Sequence, residues 1–437
     1  MRFYDREKEL DLLESNEMQS RETASFLVMM GRRRIGKTSL ILKSLEGKPH
    51  AYLFVSRDSE ALLCNKFQAE LTNSLGLSVY GTISKFRDLF EIIMKESLTR
   101  HFTVILDEVQ NLFRINPATF SEMQNIWDRY HAKSRINLIC CGSIYSLMKR
   151  IFENSAEPLY GRATSKFVLH PFHTDVLKNI LSDHNPSYTP NDLLTLYMLT
   201  GGVAKYVEIL MDSKCVTKKK MLDSVFRQDS YFITEGRDLL LNEFSGDYDV
   251  YFSIMQLIAS GQTRVSDIDG VLQKPSSVYL SNLERNYELI ERIVPLMAKP
   301  GSKVSKYYVR DNFLRFWFKF VYPYQAMIER GQTEMLRKNA DNGYEQFSGR
   351  TLETYFQERF METGLYTNVG NWWDRNGQNE IDLVALNEFE KTGVIAEIKR
   401  NPRKISLDVL SEKSKALPKQ TFGKYSFTYK ALSLEDM

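Results

Sequence analysis

The stretch Phe26-Leu27-Val28-Met29-Met30-Gly31-Arg32-Arg33-Arg34-Ile35-Gly36-Lys37-Thr38-Ser39-Leu40 decides the fold, because residues 31–38 fill every position of the phosphate-cradling pattern G-x-x-x-x-G-K-[ST]. The apolar residues 26–30 predict a buried strand, and residues 39–43 predict the start of a helix. Gly31 and Gly36 let backbone N–H groups turn toward a triphosphate with no Cβ in the way, and the helix presents its positive end to the anion. Lys37 then bridges the β and γ phosphates, and the Thr38 hydroxyl completes a magnesium shell. Gly31, Arg32, Arg33, Arg34, Ile35, Gly36, Lys37, Thr38 and Ser39 are the expected contacts for ATP and Mg2+.

A second motif follows downstream. Residues 51–55 supply another strand, and residues 62–75 and 83–94 have helical spacing. Next comes Phe102-Thr103-Val104-Ile105-Leu106-Asp107-Glu108, an apolar, β-branched strand ending in two carboxylates. At the carboxyl end of a parallel strand, Asp107 can hold the magnesium water shell while Glu108 orients and deprotonates the attacking water. Residues 136–141 form one more buried strand, ending in Gly142-Ser143. Ser143 has two readings: a sensor bonded to the γ-phosphate or the attacking water, or a turn serine. Arg162, on the loop Pro158-Leu159-Tyr160-Gly161-Arg162, is either a finger on transition-state charge, in its own subunit or a neighbour's, or a solvated surface arginine. A strand between the two motifs and a Glu beside the Asp resemble hydrolysing ATPases of the RecA and AAA kind.

Composition narrows the remaining classes. The 437 residues exceed the size at which one core keeps growing, so two to four domains are expected. Hydrophobic and charged fractions of 43% and 26% are those of an ordinary soluble protein, and the apolar run near Phe313 is broken by Arg315 and Lys319. No membrane partner is expected. The amino terminus lacks a signal-peptide core, which predicts a cytoplasmic protein. Cys64, Cys140, Cys141 and Cys215 have no C-x-x-C spacing, and the adjacent pair points to opposite faces of a strand. His170 and His173 flank Pro171 and read as turn residues. The net charge of +3 does not by itself argue for nucleic acid.

Phe3-Tyr4-Asp5-Arg6-Glu7-Lys8-Glu9-Leu10, Gly31 to Thr38, Leu106-Asp107-Glu108-Val109-Gln110, Cys141-Gly142-Ser143 and Pro158 to Arg162 together resemble the archaeal-type ATPases, in the signal-transduction branch of the AAA-related P-loop proteins. Tyr4-Asp5 replaces an aliphatic residue and Gly of that family, and Ala204 replaces the proline of its lid motif. The fold class expected is α/β: a P-loop ATPase core with a parallel sheet over residues 1–172, a helical lid over 173–245, a winged helix over 246–325 and a restriction-endonuclease-like α/β domain over 326–437.

The apolar spacing of residues 174–225 suits the lid. After an acidic turn at Asp247 to Asp249, helical stretches at 251–259, 265–271 and 277–289 precede a hairpin of 293–298 and 304–309 around Lys299-Pro300-Gly301-Ser302-Lys303. Lys274, Ser277, Tyr279, Asn282 and Arg285 are candidate DNA contacts of the third helix, but Glu284, Glu288 and Glu291 on the same stretch would repel phosphates. DNA contact and a packing role both stand.

Asp311-Asn312-Phe313-Leu314-Arg315-Phe316-Trp317 resembles the family's junction motif. Beyond it, a helix is expected at 349–360, with strands at 379–386 and 393–399. Alternation puts Glu380 with Asp382 on one face, and Glu397 with Lys399 on one face. This order resembles the PD-(D/E)XK nucleases, with Ile381 where the proline would stand. The resemblance implies Asp382 and Glu397 as magnesium ligands, Glu353 completing the shell, and Lys399 stabilising phosphorane charge. Lys399, Arg400, Arg403, Lys404, Lys413, Lys415, Lys419 and Lys424 would form a phosphate-binding rim. The function expected is an oligomeric ATPase coupled to a magnesium-dependent nuclease-like domain that acts on DNA. The alternative is a regulatory nucleotide switch with an inert last domain.

Overall fold

A computed structural model describes residues 1–437 except 78–80, 245–247, 300, 303, 376 and the side chain of Asn242. Asp247 of the expected acidic turn, and Pro300 and Lys303 of the expected hairpin loop, lie outside the described residues. The chain divides into two compact units, Asp5–His170 and Met1–Tyr4 with Pro171–Met437.

The first unit is built on β1 (Ser25–Met30), β2 (His50–Phe54), β3 (Phe102–Asp107), β4 (Ile136–Gly142) and β5 (Ser165–Val168), in the order β2-β3-β4-β1-β5 with every pair parallel. Helices α1 (Glu7–Ser20), α2 (Lys37–Ser44), α3 (Glu60–Leu75), α4 (Phe86–Glu96), α5 (Asn111–Ile115), α6 (Thr119–Tyr130) and α7 (Tyr145–Glu153) connect or flank the strands. Every residue of β1, β3 and β4 is buried, which is why these strands read as unbroken apolar runs and not as alternations. Cys140 and Cys141 are both buried on β4 for the same reason. In space it is β4 that separates β1 from β3, whereas β2, which separates them in sequence, lies at the sheet edge. The tip of β4 therefore stands between the glycine loop and the two carboxylates.

The second unit begins with α8 (Thr174–His184), α9 (Pro190–Thr200), α10 (Ala204–Asp212), α11 (Lys218–Val225) and α12 (Tyr231–Glu243). Helix α9 is buried from Asp192 to Thr200. Thr189 and Asp192 form a reciprocal capping box with Pro190 in the first turn, so a helix apolar on every side still starts at a fixed residue. Next come α13 (Tyr248–Ala259), α14 (Val265–Leu272), α15 (Ser277–Ser281) with a wider turn over Asn282–Asn286, and an antiparallel ribbon of β6 (Ile290–Ile293) and β7 (Lys306–Val309). The first ribbon strand lies three residues before the expected 293–298. Ile290 is its buried position, next to the buried Leu289 that precedes it, and Pro295 cannot donate to a ladder.

Helix α16 (Asn312–Phe320) is capped by Asp311 and is followed by α17 (Gln325–Glu329) and α18 (Thr333–Glu362). The closing mixed sheet contains β8 (Asn368–Trp373), β9 (Glu380–Asn387), β10 (Thr392–Lys399) and β11 (Ser426–Ser433) in the order β11-β10-β9-β8, with α19 (Leu407–Ser414) and α20 (Lys419–Phe422) before its last strand. Only the β10–β11 pair is parallel. Among the described residues no helix is long and apolar enough to cross a membrane.

Candidate active site

The glycine loop leaves β1 at Met30. A Cβ on Gly31 would stand 2.9 Å from the Leu169 carbonyl oxygen, so the close approach of the two segments requires glycine. Ile35, 1% exposed, pins the loop to the core, and Gly36 at φ 99° opens α2 with no side-chain cap. The amides of the first turn are thus left for an anion. The buried Lys37 Nζ donates to the Gly31 and Arg32 carbonyl oxygens at 2.7 and 3.0 Å, which keeps the ammonium within the loop. Arg33 and Ser39 are exposed, and Arg34 adopts a left-handed φ of 73°.

Asp107, at the end of β3, is held on both oxygens. Its Oδ2 accepts from Thr38 Oγ1 at 2.8 Å and Tyr52 OH at 2.5 Å, and its Oδ1 from the Glu108 N–H at 2.9 Å and Cys141 Sγ at 3.0 Å. Burial, reinforced by Asp107, pushes the Tyr52 phenol well above its ordinary range, so it remains a donor. The Cys141 thiol is likewise pushed up, by burial first and then by Asp107. Glu108 turns off the strand in the left-handed region, φ 56°, a cost that non-glycine residues bear mainly at functional positions. Its Oε2 accepts from Ser143 Oγ at 2.8 Å and from the buried Gln110 amide. Thr38, Asp107, Glu108 and Ser143 therefore meet at one end of the sheet. The shared contact of Thr38 and Asp107 gives an all-oxygen pair that fits a hard divalent cation. Tyr52, Gln110 and Cys141 were not expected from sequence; the strand order makes Tyr52 and Cys141 neighbours of Asp107, whereas Gln110 follows Glu108 by two residues.

Arg162 lies elsewhere. Its guanidinium donates to Asp128 at 3.1 and 3.4 Å and to the Tyr160 carbonyl at 3.0 Å. The Thr164 N–H bonds the Phe26 carbonyl at 2.8 Å, which fixes this segment at the amino end of β1. The glycine loop leaves the other end, roughly 13 Å of strand away at about 3.3 Å per residue. An arginine side chain does not span that distance, so the own-subunit finger is corrected.

In the second unit, the register of β9 and β10 brings Asp382, Glu397 and Lys399 together. Lys399 Nζ donates to Asp382 Oδ2 at 2.8 Å and lies 3.2 Å from Glu397 Oε1. The Ile398 N–H also reaches Asp382 Oδ2, at 2.9 Å. Lys413 on α19 donates to both Glu397 oxygens at 3.3 and 3.2 Å, a partner that the sequence order gave no sign of. Burial opposes the charge on Lys399, but the two carboxylates outweigh it and raise the ammonium pKa. Glu353 on α18 pairs with Arg350 at 2.7 Å; burial, then the nearby Asp382, raises its carboxyl against the pull of Arg350.

Glu380 accepts from Lys306 at 2.9 Å. Arg400 points inward to Ser348 and Asn191 at 2.8 and 2.7 Å, so it leaves the expected basic rim. Arg403, Lys404, Lys415, Lys419 and Lys424 are exposed. A cleft of about 590 Å3, lined by Asn379, Asp408, Val409, Ser411, Glu412 and Lys413, opens beside the cluster.

This cluster does not fit a magnesium ion held by Glu353, Asp382 and Glu397. Lys399 stands between two of those carboxylates and Arg350 takes the third, and among the described residues no three acidic, His or Cys side chains converge as metal ligands.

Residues 3–210 match a family described as an ATPase domain predominantly from Archaea. Over 439 positions the chain is 30% identical to an uncharacterized protein of Methanocaldococcus jannaschii, with 97% of this chain and 94% of that one covered. The chain belongs to this archaeal-type ATPase family. Residues 317–410 of the ATPase match a second family, described as "Archaea bacterial proteins of unknown function". A Walker-type ATPase of Pyrococcus abyssi shares the fold at 19% identity, with 72% of this chain and 96% of that chain covered and a TM-score of 0.53. The chain is also similar to the ORC2 protein of Aeropyrum pernix, at 13% identity, 76% and 94% coverage and a TM-score of 0.46.

Proposed function

We propose that this archaeal-type ATPase is a nucleotide-driven switch whose hydrolysis state controls assembly or partner binding, and whose last domain has a restriction-endonuclease-like fold without a working metal site. The observation that carries the hydrolytic part is the placement of Glu108, held by Ser143 and Gln110 one residue from the Asp107–Thr38 contact. Magnesium, when bound by Thr38 and Asp107, supplies charge neutralisation on the phosphates. The chain does the rest. Loop amides and Lys37 hold the triphosphate, and Ser143 and Gln110 fix the carboxylate of Glu108, which removes a proton from the attacking water.

This reading gives Arg162 a role in assembly. At the amino-terminal edge of its own sheet, a finger role can act only on a neighbouring subunit, which implies a homo-oligomer in which Asp128 releases the arginine. The three-helix and ribbon segment, Tyr248 to Val309, serves this reading as a winged helix.

A second reading, magnesium-dependent DNA cleavage by a PD-(D/E)XK-like domain, is favoured by one observation: Asp382, Glu397 and Lys399 do meet, beside exposed Arg403, Lys404, Lys419 and Lys424. Incubation of the full chain with plasmid DNA, Mg2+ and ATP separates the two. The switch reading expects no cutting, together with an ATP-dependent change in sedimentation that Lys37→Ala abolishes. Cutting that disappears in both Asp382→Ala and Lys399→Ala would replace it with the nuclease reading.

A further inference from the structure

Asp107 receives four hydrogen bonds, and two come from side chains that no phosphate-binding motif contains. The strand register accounts for both. Phe54 on β2 pairs with Asp107, so Tyr52, two residues earlier, lies on the same face as a diagonal neighbour. Such neighbours are about 7–8 Å apart, a gap that a tyrosine ring bridges. Cys141 on β4 is directly opposite Asp107 on the other side. The carboxylate is therefore held between two strands, and its Oδ2 takes the Tyr52 hydroxyl together with Thr38 Oγ1, the group that shares the magnesium shell.

A carboxylate torsion is broad and nearly two-fold, so a side chain with a single bonded oxygen samples a range of orientations. When Thr38 Oγ1 turns to the magnesium shell, Tyr52 is the donor that stays on Oδ2, so the carboxylate is still held on both oxygens. We infer that Tyr52 is a positioning residue of the ATPase site, which sets the Asp107 carboxylate in the orientation that the magnesium shell needs. This rests on the reading of Asp107 as the magnesium-side carboxylate. Tyr52 itself touches neither nucleotide nor water in this role; it acts through Asp107.

The test is binding of the fluorescent nucleotide mant-ADP to the full chain, in EDTA and across a Mg2+ titration. Tyr52→Phe keeps the ring and removes only the hydroxyl. Its affinity in EDTA should equal that of the wild type, while the Mg2+ concentration that tightens binding should rise about tenfold, the scale of one lost hydrogen bond to a charged group. An unchanged Mg2+ midpoint overturns the inference. So does an equal loss of affinity in EDTA, which would assign Tyr52 to packing of the nucleotide site. Asp107→Asn is the separate control: if it leaves the Mg2+ midpoint in place, the reading of Asp107 fails, whatever Tyr52→Phe does.

Discussion

Gly142→Ala offers a sharp perturbation of the hydrolytic site, because it adds one methyl group at the end of β4, outside the glycine loop. The backbone of Gly142 lies outside the left-handed region, so the only obstacle to a side chain is space. A Cβ there would stand 2.2 Å from Gln110 Oε1, and 2.4 and 2.9 Å from Met148 Sδ and Cγ. The thioether is flexible and can move aside, which limits the stability cost to about 1–2 kcal/mol. The Gln110 amide cannot retreat without giving up its bond to Glu108. A hydrogen bond to a charged group contributes about 1.5–3 kcal/mol, so turnover should fall roughly ten- to a hundredfold. ATP affinity should stay within about twofold, since residues 31–39 keep their contacts. Steady-state hydrolysis measured beside equilibrium binding of a fluorescent ATP analogue reads both quantities. Wild-type turnover in a folded variant would refute the view that Gln110 holds Glu108 for catalysis, and a parallel loss of binding would locate the damage in the loop instead.

Two further outcomes concern the second unit. Burial, aided by Glu362 and only partly opposed by Tyr197, raises the Glu358 carboxyl from 4.5 to about 7. A raised carboxyl favours folding fully below about pH 4.5, and that contribution is lost as pH climbs through 7, so Glu358→Gln should flatten the stability profile over this window and add at most about 3 kcal/mol at pH 8; an unaltered slope in urea unfolding across pH 5 to 8 would contradict it. In α12, a Cβ on Gly236 would fall 2.2 Å from the Trp317 ring, whose Nε1 donates to the Ile233 carbonyl at 2.8 Å. Gly236→Ala, usually favourable in a helix, should here cost about 1–3 kcal/mol, and an equal or higher melting temperature would dispute that packing.

The core of the first unit was legible because its strands are buried on both faces and each chemical motif sits at a strand end. Legibility failed where the signal is tertiary. Helix α18 begins at Thr333, well before the expected 349, because its first half is polar and its inner face is only Leu336, Ala340, Tyr344 and Ser348 at four-residue spacing. The ribbon strand was displaced because Leu289 and Ile290 can end a helix or begin a strand equally well. Asp382, Glu397 and Lys399, grouped by the nuclease resemblance and not by alternation alone, do meet, yet Lys413, whose ammonium spans both oxygens of Glu397, comes from a separate helix that no strand period points to. Arg400 looked like one more cation in a basic tail until its bonds to Ser348 and Asn191 turned it inward.

In the proposed mechanism Glu108 activates the water that hydrolyses ATP held at residues 31–39. Single-turnover hydrolysis by Glu108→Gln, with ATP binding measured on the same preparation, tests it most directly. The amide can still accept from Ser143 but cannot take a proton, so ATP should bind as in the wild type while the hydrolysis rate falls by about a hundredfold or more. Turnover at the wild-type rate, with ATP bound as in the wild type, would exclude Glu108 as the base.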